Sequence, residues 1–161
     1  MELLILTFNL LIFIIYNVYI LKEFGVPESL SETTYLLKDK YWIFTLLCFI
    51  TSFTLLPLWL GVCNNHNFDF LKFFSLGSLL FVGSTPFFKE SLQKQIHYTS
   101  AIICFISVIL WFFIQHLLLY VVTYIILAIF SLFIFKKENY VYVAEIILWF
   151  IIIIFLMMQY L

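Results

Sequence analysis

The sequence predicts an all-α fold, a polytopic membrane helix bundle with six transmembrane helices, and three observations carry that expectation. Hydrophobic residues make up 65% of the 161-residue chain, and charged residues only 11%. The mean hydropathy is +1.14. A water-soluble domain has about 45–50% apolar and about 25% charged residues. The 8 lysines and 9 acids of this chain therefore cannot furnish a water-facing surface. Nucleic acid is excluded as a partner by the same arithmetic: net charge is -1, and no arginine is present to build a basic face.

The spans follow from length, because roughly 20 mostly apolar residues are needed to cross about 30 Å of hydrocarbon. Uncharged stretches at about 3–21 and about 41–62 supply the first two. A third runs over about 69–88, with Lys72 expected to snorkel toward the headgroups. From Gln95 to Phe135 there is no Lys, Asp or Glu. A single helix of that length would rise roughly 60 Å, twice what a bilayer accepts. The stretch must fold back, and the polar pair Gln115-His116 is the expected turn. That yields spans at about 97–114 and about 117–135, and a last span at about 140–160.

Met1-Glu2 lacks a basic leader and no small-x-small cleavage pattern follows, so the first span is expected to persist as a mature helix. Between spans the longest connection, about 22–40, is too short for a folded soluble unit. The expectation is one transmembrane domain over 1–161, with function confined to the bundle and its rims. Lysines set orientation. Lys22, Lys38, Lys40, Lys89, Lys94, Lys136 and Lys137 fall in the first, third and fifth connections, against Lys72 alone on the other side. Odd connections are thus expected in the cytoplasm and both termini outside, in a cell membrane of bacterial inner-membrane type.

Polar residues inside spans are costly, so their positions carry information. His97, Ser100, Cys104, Ser107, Trp111 and Gln115 recur at helical spacing and share one face of the fourth span. That face is either a packing seam or the wall of a cavity with His97 at its mouth. Ser75, Gly77, Ser78, Gly83, Ser84 and Thr85 form a small-residue seam on the third span, expected to pack on the fourth, and Pro86 ends it. Asn9 and Asn17 in the first span are expected to cross-link helices. Cys48, Cys63 and Cys104 show no CxxC or metal spacing and read as small apolar residues. Asn64 to Asn67 with Asp69 read as a solvated turn, His116 being on that same side.

Glu145 lies well inside the last apolar run, where a carboxylate must take up a proton or find a donor. It enters from the same side as His97, so the two are expected within about a turn of each other, sharing a proton.

Ser29-Leu30-Ser31 running on to Tyr35, Asp69 opening span three, Val82-Gly83-Ser84-Thr85-Pro86 closing it, and His97-Tyr98-Thr99-Ser100-Ala101 opening span four form an ordered set. Over about 29–107 this set resembles a group of six-span bacterial membrane proteins near the domain of unknown function 998. The likeness extends distantly to a membrane hydrolase superfamily that includes alkaline ceramidases, and it implies Ser31, Asp69 and His97 as the matching positions. The last span has no His-x-x-x-His, so the zinc site of that superfamily is not implied. The lysine topology also sets Asp69 across the membrane from Ser31 and His97.

The expected function is non-covalent binding or movement of a small amphipathic or lipid-like ligand in a cytoplasmic-side pocket. Its candidate lining is His97, Glu145, Ser31, Glu32, Ser84, Thr85 and Ser100, with no catalytic residue, metal or cofactor. The alternatives are an oligomeric channel or pore-forming effector, a subunit docked on a membrane partner protein, and a membrane-embedded lipid hydrolase.

Overall fold

The computed structural model describes residues 1–62, 68–88, 90–135 and 138–161. All regular structure among them is helical: α1 (Glu2–Phe24), α2 (Thr33–Leu36), α3 (Trp42–Leu60), α4 (Asp69–Ser84), α5 (Glu90–Ile114), α6 (Leu118–Ile134) and α7 (Tyr140–Tyr160), with 3-10 turns at Lys38–Lys40 and Thr85–Phe87. Five of these are long and apolar enough to cross a membrane: α1, α3, α4, α5 and α7, the spans of α3 and α4 taking in their adjoining 3-10 turns. The sixth, α6, has 17 residues, roughly 25 Å of rise and at the short limit for a span. Its outer face is bare hydrocarbon, with Leu119, Ile126, Phe130, Phe133 and Ile134 all exposed, which suits lipid and not water. The chain is a membrane-embedded helical bundle.

Helix α5 starts at Glu90 and its membrane-length apolar stretch at Leu92, earlier than the expected 97, while the fold-back falls at the expected place. There α5 closes in a Schellman turn: His116 N–H donates to the Phe113 carbonyl at 3.1 Å and Leu117 N–H to the Phe112 carbonyl at 2.9 Å. His116 takes the left-handed conformation this turn requires, φ 58°, a place more often held by glycine. At the other end of α4, Pro86 sits in the 3-10 turn that terminates the helix.

The long helices follow one another round a ring, α1 beside α3, then α4, α5, α6 and α7, and α7 packs back on α1. Polar side chains tie the ring, as membrane packing favours. Asn9 donates to Thr54 at 2.7 Å between α1 and α3. Tyr142 donates to Asn17 at 2.6 Å between α7 and α1. Both asparagines therefore join helices. Phe13 and Trp149 stack nearly parallel across the α1–α7 contact.

The seam on α4 is divided between two neighbours. Gly83 faces α3, where an added Cβ would lie 2.6 Å from the Cys48 Cβ, and Thr45 donates to the Gly83 carbonyl at 2.7 Å. Ser75 faces α5, 3.7 Å from the Cys104 sulfur. Gly77 meets nothing within 4 Å, so it is not part of either close approach.

The end carrying residues 25–41 and the α4–α5 and α6–α7 connections is called the near end below; the far end carries the α3–α4 and α5–α6 connections. Lys72, near the far end, does not snorkel. It is fully buried, 2.7 Å from the Asp69 carboxylate, donating to the Val62 carbonyl at 2.9 Å and lying over the Trp111 ring. Cation, carboxylate, carbonyl and ring face together replace the hydration that a headgroup region would have given. Cys63, the Asn64–Asn67 turn, Lys89, Lys136 and Lys137 lie outside the described residues.

Candidate functional site

The site begins where α1 stops. Gly25 takes φ 76° and ψ −160°, a region open essentially to glycine, and the chain turns back across the near end. Val26 and Pro27 present their carbonyls to the Asn139 side-chain amide, at 2.6 and 3.2 Å. Tyr142 N–H, in the first turn of α7, donates to the Glu28 carbonyl at 3.1 Å. One turn deeper, Leu30 N–H donates to the Glu145 carboxylate at 2.6 Å. The side chains of Asn139 and Glu145 and the backbone N–H of Tyr142 between them thus give the start of α7 one polar edge along which the segment 26–30 is laid. Beyond it, Thr33 bonds the Tyr16 hydroxyl of α1. The segment is a plug in the mouth of the bundle.

Beneath the plug lies a cavity of about 160 Å³. Its wall comes from α1, α3, α4, α5 and α7, and is apolar over most of its extent, with Phe13, Leu47, Leu79, Phe105 and Trp149 among its residues. Polar groups reach it mainly at the plug, through Ser31 and Glu145, with Thr51, Ser75, Cys48 and Cys104 spaced around the wall. Both described cysteines are free and line this wall.

Ser31 stands between the cavity and a histidine. Its hydroxyl is 2.8 Å from His97 Nε2 and 3.1 Å from the Ser29 hydroxyl. We assign the proton positions from the neighbours. The Thr85 hydroxyl donates to the Val82 carbonyl at 2.8 Å, so its lone pair is what faces His97 Nδ1, at a loose 3.4 Å. The Nδ1 atom then carries the ring proton and Nε2 is the acceptor. The Ser31 O–H accordingly donates to Nε2. Ser29 receives the Glu32 N–H at 3.1 Å, leaving its own O–H for Ser31. A directed chain results, Ser29 to Ser31 to His97 to Thr85, with Ser31 as the member that touches the cavity.

The sequence-derived candidates separate accordingly. Ser31 and Glu145 reach the cavity wall, with His97 and Thr85 directly behind Ser31. His97 and Glu145 are brought to one end but not to one another: among the described residues no hydrogen bond joins them. They bind successive residues of the plug, the Ser31 hydroxyl and the Leu30 amide, so the shared proton is replaced by a bridge of backbone and hydroxyl. Glu32 turns outward to accept the Glu28 N–H at 2.7 Å. Ser84 returns its hydroxyl to the Leu80 carbonyl of its own helix at 2.8 Å. Ser100 is buried on α5 without reaching the wall. Asp69 belongs to the far end with Lys72, away from Ser31 and His97. Among the described residues no three His, Cys, Asp or Glu side chains gather as a metal site would need.

Sequence reasoning carried Ser29 only as part of the ordered set before the second span, and passed over Asn139 and Tyr142. The three-residue recurrence ending at Glu145 was the available signal for the last two. No family model matches the chain, and neither a curated protein nor a solved structure matches it.

Proposed function

We propose that the protein binds a small amphiphile, with its apolar portion in the central cavity and its polar group against Ser31 and Glu145 under the plug. The observation that carries this reading is the wall itself: it is apolar over most of its extent, with the hydrogen-bonding groups Ser31 and Glu145 at the plug and Thr51 and Ser75 deeper. Cavities of about 150 Å³ lined by Leu, Ile and Phe stay dry and take up benzene-sized molecules. This one accordingly suits an apolar group of about six carbons, or the corresponding segment of a longer chain. The likeness to the six-span group near the domain of unknown function 998 belongs to the same proposal. So does the orientation, in which the lysine-rich near end faces the cytoplasm of a bacterial cell and both termini lie outside.

The pore reading is less well supported. A pore shared between copies needs polar residues on the outside of each protomer, whereas Ser100, Ser107 and Trp111 of α5 are buried. From Ala101 onward the exposed residues of α5, including Ile102, Ile106, Leu110 and Phe113, are apolar.

Native mass spectrometry of the protein released from nanodiscs tests the pocket with monohexanoylglycerol as probe. One bound molecule per chain is expected. Ala101→Phe, which fills the cavity from α5, should abolish it at an unchanged melting temperature, with Ala101→Leu as the milder filling. No binding to the unaltered protein, or equal binding to a stable filled variant, overturns the proposal.

A further inference from the structure

We propose that Ser31 is an acylatable nucleophile and His97 its general base, so that a short-chain ester held in the cavity is cleaved there. This rests on the amphiphile reading of the cavity, and it adds chemistry to it. Three features of the site carry it. The Ser31 hydroxyl is 2.8 Å from His97 Nε2, within the 2.6–3.2 Å that proton transfer requires. The base is oriented by a third group, since Thr85 has spent its own proton on Val82 and holds Nδ1–H, which leaves Nε2 free to accept. The nucleophile, not the base, forms the cavity wall, so an ester carbonyl placed at the polar end meets the Ser31 oxygen with the imidazole behind it.

The reaction balances with water as its co-reactant. Ser31 Oγ forms a bond to the carbonyl carbon as His97 Nε2 takes the hydroxyl proton. The carbon–oxygen bond to the alcohol then breaks, and the alcohol leaves with that proton. Water entering from the near end gives a proton to His97 and its oxygen to the acyl carbon. The Ser31 ester bond breaks, Ser31 recovers the proton, and a carboxylic acid departs. Glu145 is occupied by the Leu30 amide and serves to hold the plug, and Thr85 is a positioning residue. A Ser–His pair with a neutral hydroxyl as its orienting member is a minimal version of the triad arrangement, which is recognised by geometry and not by residue order.

A hexyl fluorophosphonate is the diagnostic reagent. It seats its chain in the cavity, forms a Ser31 O–P bond and expels fluoride, with the hydroxyl proton passing to His97. Intact-mass spectrometry of the protein in nanodiscs should show one adduct, mapped to Ser31 by peptide sequencing of the unaltered chain. Ser31→Ala should show no adduct. His97→Gln should slow labelling by at least about 100-fold while monohexanoylglycerol binding persists. An adduct that is absent, lies elsewhere, or forms at the same rate in His97→Gln overturns the dyad. If monohexanoylglycerol binds while Ser31 stays unlabelled, the dyad fails and the pocket stands. If monohexanoylglycerol does not bind, the pocket itself fails.

Discussion

The two ends of the bundle are built on opposite principles. At the far end Trp59, Trp111, Phe112, Tyr120 and Phe155 meet mostly edge to face at 5.2–5.6 Å between centroids, with the one stacked pair, Phe112 and Tyr120, at 5.5 Å. Lys72, buried against the Trp111 ring of that cluster, is paired with Asp69. At the near end the ring is instead closed by a segment of irregular backbone, held by directed hydrogen bonds over a cavity. In lipid there is little hydrophobic drive for helices to associate, so van der Waals packing and polar contacts must do it. Dense aromatic packing makes a rigid base. A hydrogen-bonded plug over unfilled space makes a place where a ligand can be accommodated without reopening that base.

Breaking the far end should have the largest effect. Lys72→Met leaves Asp69 without its cation and should lower stability by about 2–3 kcal/mol. That is below the roughly 3–5 kcal/mol of a fully buried pair, because the Asp69 side chain keeps 21% exposure. The double change Asp69→Leu with Lys72→Met should recover most of the loss, since apolar replacement of a whole pair is near neutral. Melting in detergent reads both, and monohexanoylglycerol binding in the surviving folded fraction should be unaltered.

Gly83→Ala sharpens the comparison from the near end. The added carbon would sit 2.6 Å from the Cys48 Cβ, forcing α3 and α4 apart at a cost of about 1–3 kcal/mol. Because Cys48 lines the cavity, binding of the amphiphile should weaken together with the melting temperature, and Cys48→Gly should restore both. A loss of stability with unchanged binding would mean that the two ends are not functionally distinct.

The smallest effect is expected at the hairpin. His116→Gly should raise stability by up to about 1 kcal/mol by removing the penalty of a left-handed side chain. His116→Val should lower it by about 1–2 kcal/mol, as a β-branched residue resists positive φ. Neither should touch the cavity.

The membrane architecture was legible because it depends on run length and on the absence of charge, both local properties. The α5–α6 turn is the clearest instance: a stretch without Lys, Asp or Glu from Gln95 to Phe135 has to fold back, and Gln115-His116 was the polar point at which to do so. The plug was not legible, because it depends on residue 30 meeting residue 145, a long-range contact with no periodic signature. Ser31 and His97 could be selected as polar residues at one end, yet their direct contact, and that of His97 with Thr85, exist only in three dimensions. Lys72 failed for a physical reason. The rule that lysines escape to headgroups presumes that water is the nearest adequate partner, and here Val62, Asp69 and Trp111 are nearer.

The anchoring of residues 26–30 on α7 also fixes an order of assembly. Asn139, Tyr142 and Glu145 leave the ribosome after α1 to α6 have been made, so none of the bonds from Val26, Glu28 or Leu30 to that helix can form during most of synthesis. Nascent chains arrested before Asn139 would carry an unsealed bundle, with the Leu30 amide and the Val26 carbonyl still facing solvent. Completion of the last helix is thus the event that shuts the compartment.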